Sequence, residues 1–287
     1  MSSNPNNNAD MSSKIMNSSM KILITRFALP VIIIIILARF SKWIGMAALL
    51  VYFLVLVYIS RAKIYTIIGT RRYGLGRLDE AIKWFGRAYA ANRGGIRTAV
   101  NYAYLLLKSG ELQKPEEILQ KALKEHPRDQ DVPYLKSIMA LVLWKKGELD
   151  QAVEMLGEVI QTYKTTTVYG SLGFMLIEKG DLDKALQFNL EALEFNPRDN
   201  IINDNLGQNY LLLGQYDKAR EVYENLLAKS PAFPEPYYNY GLLMEKLGNR
   251  EKALESMKKA LDMKFSFLST ITREEIEAAI NRLESAG

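Results

Sequence analysis

The sequence has no cysteine and only one histidine, His126, among its 287 residues. Without cysteine there is no disulfide framework, no thiol nucleophile and no cysteine-ligated metal or iron–sulfur centre. A single histidine excludes histidine-cluster metal sites and argues against a Ser-His-acid triad. His126 also precedes Pro127, a position typical of the end of a helix. We therefore expect a protein that is not an enzyme and needs no cofactor or metal.

Basic charge is scarce outside the N-terminal region. The formal net charge is +5, but residues 1–77 contain ten Lys and Arg against a single Asp, a net charge of +9. The difference between +5 and +9 leaves −4 for the rest of the chain. A nucleic-acid-binding domain presents a basic face to phosphates. Since the later part of the chain lacks that balance, we expect no nucleic-acid partner.

Long apolar runs occur only near the N-terminus. Residues 1–20 are rich in Ser and Asn and predict a disordered tail. Two apolar runs follow, at about residues 22–38 and 44–60. Each would extend roughly 25 Å as a helix, which is at the short end of what spans a bilayer core. We predict that residues 21–60 form a hairpin of two transmembrane helices in the cell membrane.

The basic residues predict which side of the hairpin faces the cytoplasm. If both runs cross, the outer flanks carry seven Lys and Arg and the connecting loop carries two. Both termini are then expected in the cytoplasm, because an excess of Lys and Arg marks that side. If only the second run crosses, five basic residues lie on each side of it, and the orientation stays open. A signal peptide is the alternative for the first run, but Pro30 lies inside it and Arg39, not a small-residue cleavage site, follows it.

Glycine and alanine recur in a pattern with a period of 34 residues. Gly173, Gly207 and Gly241 keep this spacing, and two further sets beginning at Gly180 and Ala185 keep it as well. A fixed period between about 20 and 50 residues is the signature of stacked repeats. Extended in both directions, the frame predicts a solenoid at residues 61–267 with six units, at 62–95, 96–129, 133–165, 166–199, 200–233 and 234–267.

Each unit has the pattern of two amphipathic helices joined by a short turn. In the fourth unit, Tyr169, Leu172 and Leu176 place one apolar stripe on the first helix. Gly180 fits a left-handed helix terminus, and Asp181 fits the cap of the next helix. After the sixth unit, residues 268–287 predict one capping helix. Thr272 and Glu275 form a capping box at the start of this helix. Its apolar stripe consists of Ile276, Ala279, Ile280 and Leu283.

The order of bulky, small and proline positions in these units resembles the tetratricopeptide repeat. The matching residues are Tyr169, Leu172, Gly173, Leu176, Gly180, Ala185, Ala192 and Pro197 in the fourth unit, and Leu206, Gly207, Tyr210, Gly214, Ala219, Tyr223 and Pro231 in the fifth. The resemblance covers about residues 62–267. It is looser in units one to three, where Pro115 replaces the second-helix Ala and Lys164 replaces the terminal Pro. It implies an all-α protein, a right-handed α-solenoid of about six helix-turn-helix repeats.

The same resemblance implies a peptide-binding groove lined by the first helices of the repeats. Asn101, Asn205 and Asn239 occupy one equivalent position and are candidates for hydrogen bonds to a bound peptide backbone. The alternative is that Asn is common at this position and contacts no ligand. The further candidates on this face are Tyr104, Trp144, Phe174, Gln208 and Tyr238. The Lys/Asn/Arg carboxylate clamp of chaperone-binding members is mostly missing, which argues against a chaperone C-terminus as the ligand.

Taken together, these patterns predict a noncatalytic scaffold. Acidic pairs such as Asp181 with Asp183 recur at helix starts, where capping explains them. We expect the groove to bind a protein or peptide partner and the N-terminal hairpin to contact the lipid bilayer, with no small-molecule substrate. The alternative is a receptor or assembly factor that delivers polypeptides to a membrane translocation or envelope-assembly complex. An enzyme is a third hypothesis, and no cluster of residues in the sequence supports it.

Overall fold

The computed structural model describes residues 24–91 and 95–285. Within these ranges the chain contains fourteen α-helices, one π-helical turn and no strand. The predicted all-α class is therefore confirmed. The predicted disordered tail at residues 1–20 lies outside the described residues. The chain forms two compact units, Met1–Ile64 and Tyr65–Gly287.

The first unit contains the apolar helices. A π-helical turn at Ile24–Ala28 leads into helix α1 at Leu29–Phe40. Pro30 lies in the first turn of α1, where its missing N–H leaves no helical hydrogen bond broken. Ser41 has an extended backbone and separates α1 from α2, which spans Lys42–Gly74.

Only one of the described helices, α2, is long and apolar enough to cross a membrane. Helix α1 has 12 residues, which corresponds to about 18 Å of α-helix. One potential membrane span is therefore shown by length and composition. The second span predicted for residues 22–38, and with it the transmembrane hairpin, is not established by the described helices.

The second unit begins within α2 and continues with twelve helices. Their bounds are Leu78–Ala90 (α3), Gly95–Lys108 (α4), Gln113–Glu125 (α5), Val132–Lys145 (α6), Leu149–Val159 (α7), Thr166–Glu178 (α8), Leu182–Phe195 (α9), Asn200–Leu212 (α10), Tyr216–Leu227 (α11), Glu235–Lys246 (α12), Arg250–Leu261 (α13) and Arg273–Ser285 (α14). From α4 onwards the helices pack in successive pairs, and the second helix of each pair also contacts the first helix of the next pair. This arrangement is the α-solenoid predicted from the sequence.

The turn between α8 and α9 shows why the helices end where they do. Gly180 has a φ of +90°, a left-handed conformation that glycine adopts without the steric cost of a Cβ. Its N–H donates to the carbonyl of Ile177 at 3.0 Å. Asp181 then caps α9, because its carboxylate accepts a hydrogen bond from the N–H of Lys184 at 3.2 Å. The predicted turn and cap are both confirmed.

Buried apolar side chains form two clusters in the second unit. The first core cluster comprises buried residues between positions 81 and 202, and the second comprises buried residues between positions 211 and 283. Helix α14 contributes to the second core cluster through Ile276, which is fully buried. The predicted capping box at its start is present, since the N–H of Glu275 donates to Thr272 Oγ1 at 3.2 Å and the N–H of Thr272 donates to Glu275 Oε2 at 2.6 Å.

Candidate protein-binding groove

The first helices of successive repeats contact one another and so form one continuous face. Helix α4 packs against α6, α6 against α8, α8 against α10, and α10 against α12. All eight residues predicted from the sequence to bind a peptide lie on these helices. We call this face the groove.

Three of the predicted residues line one cavity in the groove. The cavity has a volume of about 490 Å³, and its walls include Trp144, Phe174 and Gln208. The rings of Trp144 and Phe174 meet edge to face, with centroids 5.4 Å apart. The indole Nε1 of Trp144 donates to Glu178 Oε2 at 2.7 Å, which fixes the orientation of the ring. The structure therefore provides a recess with an aromatic wall and a carboxylate beside it.

Lys145 brings a positive charge to the same cavity. Its Nζ lies 4.0 Å from the centroid of the Trp144 ring, which is a cation–π contact. The side chain is half-buried, and this burial lowers the pKa of Lys145, whereas the charges of Glu178 and Glu235 oppose the shift. Sequence reasoning did not select Lys145, because a lysine in the last turn of a helix is usually explained by the helix dipole alone.

Two of the three candidate asparagines lie inside the solenoid. Asn205 is 3% exposed, and its Nδ2 donates to the carbonyl of Gly170 in the preceding repeat at 2.7 Å. Asn239 is 4% exposed and donates to Asp204 Oδ1, also in the preceding repeat, at 3.2 Å. These amides join neighbouring first helices. This placement favours the alternative in which these asparagines contact no ligand, and hydrogen bonds from them to a peptide backbone stay a prediction.

The remaining polar candidates are only partly accessible. Asn101 is half-buried, and its Oδ1 accepts a hydrogen bond from the hydroxyl of Tyr134 in the next repeat at 2.9 Å. Tyr104 and Tyr238 are half-buried as well, and burial raises the pKa of both phenols. Each is therefore a neutral hydrogen-bond donor at physiological pH.

A buried pair of carboxyl groups lies between α10 and α12. Asp204 is 5% exposed and Glu235 is 7% exposed. Burial, reinforced by the charge of Glu235, raises the pKa of Asp204 to about 8. Burial also raises the pKa of Glu235. Sequence reasoning missed this pair, although an Asp directly before the Asn-Leu-Gly of the fifth repeat interrupts the apolar stripe and could have indicated it.

The other polar residues singled out in the sequence have local roles. Within residues 24–91 and 95–285 there is no group of three His, Asp or Glu side chains that could hold a metal ion. His126 follows α5 as its C-cap, and its N–H donates to the carbonyl of Ala122. Glu116 pairs with Lys146 at 3.1 Å, and Asp181 caps α9.

These features define a solenoid of helical hairpins whose first helices form a groove. Models of the tetratricopeptide repeat match residues 73–142 and 234–267, and a TPR repeat model matches residues 207–248. The chain therefore contains repeats of the tetratricopeptide (TPR) family within residues 73–142 and 207–267.

The curated relatives share only low sequence identity with this chain. The BBSome complex member BBS4 of Bos taurus is 26% identical over 183 residues, covering 64% of this chain and 35% of BBS4. A TPR repeat-containing protein of Methanocaldococcus jannaschii is 25% identical over 158 residues, covering 55% of this chain and 27% of its own. Among solved structures, a TPR protein from Parabacteroides merdae aligns with a TM-score of 0.63 at 16% identity, over 93% of this chain and 99% of that one. The chain spans about a third or less of the length of these two curated relatives, so the comparisons show the fold and not the partner.

Proposed function

We propose that this chain is a membrane-anchored TPR scaffold that binds a protein segment in its groove at the cytoplasmic face of the membrane, with no catalytic activity of its own. The observation that carries the proposal is the cavity walled by Trp144, Phe174 and Gln208. Apolar recesses with a few polar groups receive the anchor side chains of protein partners, and aromatic residues dominate such sites. The wall of this recess also carries the charged side chains of Lys145 and Glu178, so a peptide segment that combines one bulky side chain with accessible main-chain groups fits it.

The exposed side chains of α2 support the membrane anchor. Leu49, Leu50, Phe53 and Leu54 are each more than half exposed. In water, leaving such a side chain exposed forgoes about 1.5–3 kcal/mol relative to burying it. A bilayer supplies the missing apolar surroundings, and the 33 residues of α2 exceed the roughly 20 that a membrane helix needs.

A second crossing before Ser41 is part of the proposal. The π-helical turn Ile24–Ala28 is contiguous with α1, so helical structure extends through most of the predicted first run. Gly45 lies close to Ala38, where a Cβ built on the glycine would be 2.5 Å from that of the alanine. Small residues of this kind let membrane helices approach closely. The seven basic residues on the outer flanks, against two between the runs, favour cytoplasmic termini.

The topology can be tested with single cysteines, because the chain has none of its own. We expect Ser41→Cys to react with an impermeant thiol reagent in intact cells. Ser13→Cys and Ser285→Cys should react only after permeabilisation. Labelling of Ser285→Cys from outside would overturn the cytoplasmic groove, and labelling of Ser13→Cys from outside would leave α2 as the single crossing.

The groove can be tested with a photo-crosslinking amino acid placed in the full-length protein in its own membrane. A probe at Gln208 faces the cavity, whereas a probe at Glu194 lies exposed on the second helix of the fourth repeat. We expect one stoichiometric protein product from position 208 and much less from position 194. Equal yields from both positions would contradict the groove as the binding site. Many unrelated products from position 208 would favour the alternative in which the chain delivers polypeptides to a membrane complex.

A further inference from the structure

The segment between α13 and α14, residues 262–272, is a linker that turns back into the groove. The N–H of Ser269 donates to the carbonyl of Ser266 at 2.9 Å, and the N–H of Ser266 donates to Ser269 Oγ at 3.2 Å. These bonds close a β-turn that has Phe267 and Leu268 at its tip. We call residues 266–270 the linker turn.

The tip of the linker turn packs against residues that are distant from it in the sequence. Phe267 and Leu268 both pack against the first core cluster, which is built from the earlier repeats. The Phe267 ring reaches Gly110 in the second repeat, where a Cβ built on the glycine would lie 3.7 Å from the ring Cδ2. Phe265, in contrast, packs against the second core cluster, with the guanidinium of Arg273 5.0 Å from its ring centroid. Two aromatic residues of one linker thus have separate roles, one anchoring its base and one entering the groove.

Two charged side chains of the groove hold the main chain of the linker turn. Lys145 Nζ donates to the carbonyl of Ser269 at 3.0 Å, across 124 residues of sequence. The N–H of Thr270 donates to Glu235 Oε1 at 2.9 Å. Both side chains give up hydration in this position, which is favourable only where hydrogen bonds replace the lost water. Lys145 and Glu235 therefore recognise the carbonyl of Ser269 and the N–H of Thr270, and the Ser269 side chain adds a hydrogen bond to Glu235.

These contacts are of the kind that a bound peptide makes. An apolar side chain enters a recess of the receptor, while charged receptor side chains pair with peptide main-chain groups. Lys145 and Thr270 also line the cavity that contains Trp144, Phe174 and Gln208. The linker turn therefore lies directly beside the recess assigned to the partner, and a longer segment bound there would meet it.

We propose that the linker turn is an internal ligand of the groove, and that the partner is a peptide segment whose aromatic residue, followed by an aliphatic one, replaces Phe267 and Leu268. This inference rests on the proposed function, because it takes the groove as the partner site. Partner binding then requires release of the linker turn from Lys145 and Glu235. The apparent affinity for the partner is reduced by the fraction of molecules in which the turn is seated.

The inference can be tested without knowing the partner, using a synthetic fluorescent peptide of residues 262–272 and the full-length protein in lipid nanodiscs. Phe267→Ala removes the side chain that seats the turn while leaving Lys145 and Glu235 in place. If the turn is seated in about nine molecules of ten, we expect this variant to bind the peptide about tenfold more tightly than the unchanged protein. Phe265→Ala is the matched control, since the same truncation two residues earlier should leave the affinity unchanged.

A second variant separates a ligand role from a general loosening of the structure. Adding Lys145→Ala to Phe267→Ala should abolish the gain in affinity, because the added peptide needs the same hydrogen bond to Lys145. Hydrogen exchange provides a readout that needs no added peptide. The amide of Thr270 should exchange faster in Phe267→Ala than in the unchanged protein, while the amides of α8 should exchange at unchanged rates.

The outcomes distinguish this inference from the proposed function. Equal peptide affinity in the unchanged protein and in Phe267→Ala, or no binding to either, would overturn the internal ligand and leave the crosslinking result from Gln208 unaffected. A tenfold gain together with no crosslinked partner in membranes would support the internal ligand and count against the scaffold function.

Discussion

The ring of Tyr223 lies directly against Gly207, and a Cβ built on this glycine would be only 2.7 Å from the ring Cζ. In this contact, a glycine on the first helix of a repeat meets the residue sixteen positions later, on the second helix. The same contact occurs between Gly69 and Phe85, Gly173 and Asn189, and Gly241 and Met257. Because glycine has no Cβ, this position leaves room for the side chain of the facing residue on the second helix. This explains why the glycine recurs while its neighbour varies among aromatic, amide and thioether side chains.

Gly207→Ala should destabilise the solenoid. The methyl group has to displace a fully buried tyrosine ring, and overpacking of this kind costs about 1–3 kcal/mol. Gly157→Ala is the matched control, because this helical glycine has no atom within 4 Å of a built Cβ. Replacing it should increase stability by about 0.5–1 kcal/mol, since alanine is the better helix former. Urea unfolding followed by circular dichroism measures both, and a loss of stability in Gly157→Ala would contradict the steric explanation.

Asp204→Asn should make the protein more stable at alkaline pH. The raised pKa means that the folded state keeps a proton on Asp204 that the unfolded state has already lost. Stability associated with this group is thus fully present below its ordinary pKa of 3.8 and is lost as pH rises towards the folded value of about 8. An amide stays neutral throughout, and its oxygen still accepts from Asn239. We expect a gain of about 1–3 kcal/mol at pH 8 and little change at pH 4.

The measurement for Asp204→Asn is the urea midpoint as a function of pH. Asp217→Asn is the control, because it makes the same substitution at a side chain that is 97% exposed. Some pH dependence should persist in Asp204→Asn, since burial raises the pKa of Glu235 as well. An identical gain at pH 4 and pH 8 would show that packing, and not ionisation, is responsible.

Asn205→Ala should mainly lower folding stability, whereas Phe174→Ala should mainly lower the crosslinking yield. Asn205→Ala removes a buried hydrogen bond to Gly170, which costs about 1 kcal/mol of folding stability, but it leaves the cavity wall intact. Phe174→Ala removes part of that wall and should reduce the yield of the crosslinked partner obtained from a probe at Gln208. Comparing crosslinking yield with the urea midpoint in the same variants separates the two roles. Loss of crosslinking in Asn205→Ala at unchanged stability would restore the asparagine to the binding site.

Thr272→Ala should loosen the C-terminal helix. The substitution removes the hydroxyl that accepts from the N–H of Glu275, and losing such an N-cap costs about 0.5–2 kcal/mol. The amides of α14 should therefore exchange faster with deuterium. Ser285→Ala is the control at the opposite end of the same helix, where the hydroxyl only donates to the carbonyl of Arg282 and should contribute little. Faster exchange confined to α4, with α14 unchanged, would contradict a local capping role.

Local features of the fold were predictable because local residues determine them. The left-handed Gly180, the cap formed by Asp181 and the capping box of Thr272 with Glu275 each depend on bonds between residues at most four positions apart. The family resemblance, and not the periodicity, assigned the candidate groove to the first helices of the repeats. Three of the residues assigned to this face, Trp144, Phe174 and Gln208, line one cavity in the structure, and their role in binding stays a prediction.

Contacts between repeats determine which side chains are exposed in the groove. Asn101, Asn205 and Asn239 are equivalent in sequence, yet they bond respectively to a tyrosine hydroxyl, a main-chain carbonyl and a carboxylate. Those partners belong to the preceding or following repeat, and the period does not predict what they are. The burial of Asp204 beside Glu235 has the same origin, because it requires α10 and α12 to be packed together.

The sequence by itself determined the repeat, the helix pairs and their caps, because a period of 34 residues and bonds within one turn of helix can be read locally. Only the tertiary structure decided that the linker turn lies in the groove, with Phe267 near Gly110 and Ser269 bonded to Lys145. The physical reason is that small rotations between successive repeats add up along a solenoid. Their sum brings residues of the second and third repeats within reach of a segment that follows the sixth.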